Sequence, residues 1–344
     1  MTTLSLIPTE AAIAASAGED LSRYFVADAQ HQLVADPSRR TPIDFDSDGL
    51  RLAAHLYRPP GAAADQRTPA VAMNGPFSSV KEQTLPHYAE RLADAGYTVL
   101  AFDARSFGES EGEPRAHHVP EHIIADYSNA VGHLREREDV DPERIGLVGV
   151  CMGGGYALSA AARDRRVKAV ATVAGGYDIG ATFQRLLGVE RFAAHLRRIN
   201  ALHDRQRETG EVQYVPTIAH GLSDEIPVAA MPSEEPYAYY ERTSRDHAPT
   251  WSDRMTAAGL ESYLSYDAIP HAGLLAPTPL LVVHGTRDFF LLPEYAQATY
   301  DAATGPKQLV WIETHNHIEL YDQEPYVSEA LAAVIPFLDA NLAG

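Results

Sequence analysis

One cysteine occurs in the 344-residue chain. It stands in the run Gly149-Val150-Cys151-Met152-Gly153-Gly154-Gly155. The preceding residues, Arg144 to Val148, read as a short buried strand, and Met152 to Ala162 read as a helix of small residues. A nucleophile at such a turn, with glycine at i−2 and i+2, has the G-x-nucleophile-x-G form that lifts a side chain above a sheet edge. The turn is too tight for a Cβ at either flank. The helix N-terminus favours a thiolate through its free N–H groups and dipole. A single cysteine leaves no intramolecular disulfide and no cysteine-based zinc cluster.

A thiol nucleophile needs a base and a group that orients the base. Asp288 follows the apolar run PLLVVHG, and His317 follows KQLVWIE. Both come after the nucleophile, in the order acid then histidine that triads on parallel sheets use. Both sit past the expected C-terminal ends of strands, where open α/β sheets place their chemistry. Asp178 is the competing acid and His315 the competing base. The bland readings are a helix-capping aspartate and a surface histidine. The backbone N–H of Met152 is expected in an oxyanion hole. The second donor is placed at Phe77 in Asn74-Gly75-Pro76-Phe77, because Pro76 has no N–H.

These residues need a sheet. Pro42 to Tyr57 reads as a hairpin about Asp48-Gly49. Apolar strands at Ala70–Asn74, Tyr97–Asp103, Lys168–Ala174, Pro279–Gly285 and Lys307–Glu313 alternate with helical stretches. That alternation predicts an α/β fold with a mostly parallel, doubly wound sheet. The pattern pauses between about 177 and 276, a charged, then Pro- and Tyr-rich stretch read as an inserted helical cap. The expected division is an N-terminal helical extension (1–41), a core (42–176 and 277–344) and the cap (177–276). Tyr237, Tyr239, Tyr240 and Trp251 are candidate pocket residues, with plain packing as the alternative. Arg105 is expected to tie its loop to neighbouring backbone, and Lys81-Glu82 to anchor the start of a crossover helix.

The formal charge of −19 argues against nucleic acid and against anionic membrane surfaces. No apolar run is long enough to span a membrane. The first residues lack a basic n-region and carry Glu10, Glu19 and Asp20, so they read as a short helix and not a signal peptide. A cytoplasmic enzyme is the expectation. Fifteen histidines show no metal-ligand spacing, and no phosphate-binding glycine motif appears, so no metal or cofactor is expected.

With Val80-Lys81-Glu82-Gln83, FDARSFGESEGEPR (Phe102 to Arg115), the GVCMGGG elbow and His317-Ile318-Glu319-Leu320-Tyr321-Asp322, the chain resembles the α/β-hydrolase superfamily from about Pro42 onward. Within it the chain is similar to dienelactone hydrolases and fungal polyketide-transferase-like hydrolases. The resemblance implies Cys151 as nucleophile, His317 as base and Asp288 as acid. Two departures stand out: Asn74-Gly75-Pro76 replaces the usual His-Gly of the oxyanion loop, and the cap is longer than in dienelactone hydrolases. The expected activity is cleavage of a small-molecule ester, lactone or thioester through an acyl-cysteine. An acyltransferase or cyclase using the same intermediate is the alternative, and a non-catalytic ligand-binding protein on this scaffold is the reading from another class. The remaining expected partner is a second copy of the chain, in a homodimer.

Overall fold

The computed structural model describes residues 32–63, 66–225 and 227–343. Residues 1–31 of the expected N-terminal helix lie outside this range. Residues 32–39 carry a β-bridge from Gln32 to Gln323 and a 3-10 turn at Pro37–Arg39, and no α-helix.

Eight strands form one sheet. They are β1 (Arg40–Ser47), β2 (Leu50–Tyr57), β3 (Thr68–Asn74), β4 (Thr98–Phe102), β5 (Val140–Val150), β6 (Ala169–Val173), β11 (Leu280–Gly285) and β12 (Lys307–Ile312), in the order β1-β2-β4-β3-β5-β6-β11-β12. β1–β2 and β2–β4 pair antiparallel, and all later pairs are parallel. Strands β4, β6 and β11 are buried along their whole length. That is why they read as unbroken apolar runs: a parallel strand covered on both faces has no polar side. The order reverses about β3 and β5, the kind of switch point where open sheets bind ligands.

The crossover helices are α1 (Leu85–Asp94), α2 (Pro120–Glu136) and α3 (Met152–Arg163). Later come α9 (Pro293–Ala302), α10 (Glu319–Asp322) and α11 (Tyr326–Asn341). α11 packs with α1, and α2 packs with α3, giving helical cover in two groups. The Arg105 side chain reaches carboxylates and not the expected backbone: Asp126 at 2.6 Å and Asp48 at 2.8 Å. Lys81 is buried against Asp103 (2.9 Å) and Glu109 (2.6 Å), so it joins the loop after β3 to the loop after β4.

Between β6 and β11 the chain leaves the sheet. It forms α4 (Ile179–Leu187), α5 (Val189–Thr209), α6 (Glu234–Asp246), α7 (Ala257–Leu264) and α8 (Ile269–Ala272). The segment is not purely helical. β7 (Tyr214–Pro216) pairs antiparallel with β10 (Arg254–Thr256), and β8 (Ile218–Ala219) pairs parallel with β9 (Met231–Pro232). Strands of two or three residues leave no periodicity to read.

Candidate active site

The elbow is built by close backbone approach. Cys151 has φ 56 and ψ −125, immediately before α3. Its N–H donates to Val173 O at 2.9 Å, and its carbonyl accepts from Gly154 and Gly176. A Cβ on Gly149 would run into the Gly153 carbonyl, and one on Gly153 would run into the carbonyl of Asn74. The two flanking glycines therefore let β5, α3 and the loop after β3 meet. The Gly153 N–H donates to Gly75 O at 3.0 Å, which fixes that loop beside the thiol.

Asp288 and His317 meet above β11 and β12. His317 Nδ1 lies 2.5 Å from Asp288 Oδ2, and both side chains are buried. The other carboxylate oxygen accepts from the N–H groups of Phe290 (2.9 Å) and Leu291 (2.7 Å). Burial pushes Asp288 toward the neutral acid, but the His317 charge and hydrogen bond and the N–H of Leu291 outweigh it and hold its pKa below the usual carboxylate range. Burial pushes His317 down, and the nearby Asp288 and Cys151 outweigh it, raising its pKa well above that of free histidine. His317 is thus held ready to carry a proton. The neighbouring His284 is driven toward its neutral form by burial, and its Nε2 faces Leu291 O at 2.9 Å.

The competing residues are engaged elsewhere. Asp178 caps α4, accepting from the Ala181 N–H at 2.8 Å. His315 turns to Glu319, with Nδ1 to Oε1 at 3.2 Å, and is partly exposed.

The N–H groups of Met152 and Phe77 donate to no protein acceptor among the described residues. The Phe77 carbonyl accepts from Tyr240 Oη at 2.6 Å. Of the four aromatic candidates, Tyr239 and Tyr240 are buried, Tyr239 edge-on to Tyr321 with ring centroids at 5.0 Å. Tyr237 is placed elsewhere: its ring lies on His220 at 3.7 Å and lines an outer groove of about 620 Å³. Helical spacing is the reason. Tyr237, Glu241 and Ser244 form one stripe of α6 along that groove, while Pro236, Tyr239, Tyr240 and Thr243 are buried. Trp251 also lines the groove and stacks on Tyr240 at 5.1 Å.

Three residues with no assigned role join the site. Tyr321 Oη lies 2.9 Å from His317 Nε2. The Tyr263 ring lies tilted against Phe77 with centroids at 3.9 Å, and its buried hydroxyl has no hydrogen-bond partner among the described residues. Glu235 of α6 accepts from the Ile318 N–H at 2.9 Å, and burial raises its pKa to about 7. Tyr321 had a legible signal: four residues past His317, it falls one helical turn away. Glu235 had none, since its partner is 83 residues distant.

No group of histidine, cysteine and acidic side chains suited to a metal occurs among the described residues, and none of their helices is long and apolar enough to cross a membrane.

A mostly parallel sheet with an elbow, an acid and a histidine at one edge defines an α/β-hydrolase. Residues 48–319 match the family described as X-Pro dipeptidyl-peptidase (S15 family), and the chain belongs to it. It is 31% identical to the thiohydrolase aneE of Aspergillus aculeatus over 78% of this chain and 83% of that protein. It is 29% identical to the polyketide transferase claH of Penicillium crustosum, over 83% and 92%. The α/β hydrolase GrgF of Penicillium sp. sh18 superposes with a TM-score of 0.74 at 26% identity, covering 89% of this chain and 99% of its own.

Proposed function

We propose that this protein cleaves a thioester or ester of a small organic acid through an acyl-cysteine intermediate, with Cys151 as nucleophile, His317 as base and Asp288 as orienting acid. The observation that carries the reading is the buried Asp288–His317 pair at 2.5 Å beside an elbow thiol. The name of the aneE relative, thiohydrolase, supports a thioester as the bond broken. The segment 177–276 acts as a cap over the sheet edge.

In this mechanism Cys151 attacks the acyl carbon, and the oxygen becomes an oxyanion held by the N–H groups of Met152 and Phe77. One such donor contributes about 3–4 kcal/mol in comparable sites. His317 gives its proton to the leaving group and later takes one from water. Asp288 fixes the imidazole so that Nε2 faces the reacting atoms.

A second reading is acyl transfer, in which an amine, alcohol or thiol replaces water. Burial of Cys151, Asp288 and His317 to 2% exposure or less favours it, because a closed site keeps water from the intermediate. The relative claH bears the name polyketide transferase. The test is Cys151→Ala and Cys151→Ser against acyl thioesters and p-nitrophenyl esters, with mass spectrometry of the trapped acyl-enzyme and added amines as competing acceptors. An adduct on Cys151 and its loss in the alanine variant are expected. Undiminished turnover by either variant overturns the reading.

A further inference from the structure

Two buried polar atoms beside Phe77 have no hydrogen-bond partner among the described residues: the Tyr263 hydroxyl and His118 Nδ1. Their rings pack on that of Phe77, with centroids at 3.9 Å for Tyr263 and 4.5 Å for His118, and lie 5.8 Å from each other. Both residues are buried. The cluster sits where three pieces of the site meet. Phe77 belongs to the loop after β3 that the Gly153 N–H holds beside the elbow. His118 Nε2 lies 2.6 Å from Tyr156 Oη of α3, the helix that begins just after Cys151. Tyr263 comes from α7 of the 177–276 segment.

The helix holds this tyrosine in place, and the hydroxyl takes no part in that. The N-terminus of α7 is fastened to residues 116–118. The Thr256 N–H donates to Ala116 O at 3.0 Å, and Thr256 Oγ1 lies 2.8 Å from His117 Nδ1. A Cβ on Gly259 would stand 2.7 Å from the His118 backbone nitrogen. Tyr263 follows Gly259 by one helical turn, on the same face. A buried phenol usually finds a partner, and one without it loses its hydration for nothing in return. We propose that Tyr263 and His118 form a polar subsite beside Phe77 that recognises an oxygen substituent, a hydroxyl or keto group, on the acyl chain. Tyr263 donates to that oxygen. Burial drives the His118 pKa down to about 3, so its ring is neutral and Nδ1 donates or accepts according to the tautomer. A hydroxyl meets both cases, and a keto oxygen meets the one with Nδ1–H.

The inference rests on the acyl-cysteine reading for the identity of the bound chain, and its test needs no turnover. Calorimetry measures the Kd of octanamide and of its monohydroxy and mono-oxo derivatives, amides that stand in for the reactive thioester. At least one oxygenated amide is expected to bind the wild type about tenfold or more tighter than octanamide. In Tyr263→Phe that preference is expected to vanish. The melting temperature of the variant is expected to hold or rise, since the hydroxyl has no protein partner to lose. The subsite is overturned if no oxygenated amide binds the wild type more tightly than octanamide, or if the preference survives Tyr263→Phe. A clearly lowered melting temperature also overturns it, because the hydroxyl would then serve the fold. Thioester turnover that survives Cys151→Ala overturns the acyl-cysteine reading instead, and the binding data then still decide the subsite.

Discussion

Asp288 and His317 are 29 residues apart in sequence and 2.5 Å apart in space, each buried to 2% exposure or less. The contact joins the loops after two neighbouring parallel strands. It raises the proton affinity of the ring, because the nearby carboxylate, together with Cys151, overcomes the penalty of burying a charged imidazole.

Asp288→Asn keeps the shape and removes the charge. Stopped-flow acylation is expected to slow on the order of 10³–10⁴-fold, as an asparagine favours the wrong tautomer. The rise in the His317 pKa should largely vanish, which imidazole NMR titration would read. A loss under fivefold would assign the orienting role to another group.

Gly153→Ala sets a methyl against the carbonyls of Asn74 and Gly75, both backbone and unable to yield. A destabilisation of about 1–3 kcal/mol is expected, with loss of activity as the loop bearing Phe77 shifts. Gly132→Ala in α2 meets only Arg166 Nη1 at 3.5 Å. It is expected to stabilise by up to about 1 kcal/mol. Thermal melts of both compare a crowded glycine with a free one.

Glu235 makes stability depend on pH. Its folded pKa is raised to about 7 from 4.5, so between those values the folded chain holds a proton that the unfolded chain has lost. Its contribution is fully present below about 4.5 and is lost as pH rises through about 7, a fall of roughly 3 kcal/mol by linkage. Glu235→Gln keeps an acceptor for the Ile318 N–H and cannot ionise. Its melting temperature should fall less than the wild type's across this window. Parallel curves would rule out Glu235 as the source.

Tyr240→Phe removes the hydroxyl that donates to Phe77 O at 2.6 Å. A buried carbonyl left unpaired costs about 1–3 kcal/mol. If Phe77 N–H holds the oxyanion, kcat should fall more than KM rises, which steady-state kinetics on one ester would show.

The inner strands were readable because burial on both faces forces apolar runs, and the edge strand Lys307–Ile312, buried only at Ile312, through its Leu-Val-Trp-Ile run. Ala70–Asn74 differs from the observed Thr68–Asn74 by two residues at one end, and Lys307–Glu313 from Lys307–Ile312 by one at the other. The elbow was readable because its glycines answer to contacts within a few residues of Cys151 and at the adjoining loop. In the segment 177–276 the helices were readable and the rest was not. Its strands are two or three residues long, and which side of α6 faces inward depends on partners far away in sequence. That is why Tyr237 and Tyr240, three residues apart, end in an outer groove and against the Phe77 carbonyl. Tyr263 and Glu235 meet the site only through the fold, and nothing beside them in sequence announces it.

The lone thiol makes the chain its own reporter. With one cysteine in 344 residues, a maleimide dye or spin label can attach at one place without any other cysteine being removed. That place is 1% exposed, so the label enters only when the surrounding side chains part. The rate of labelling then counts how often the interior is laid open, and a bound substrate that slows it reports its own occupancy.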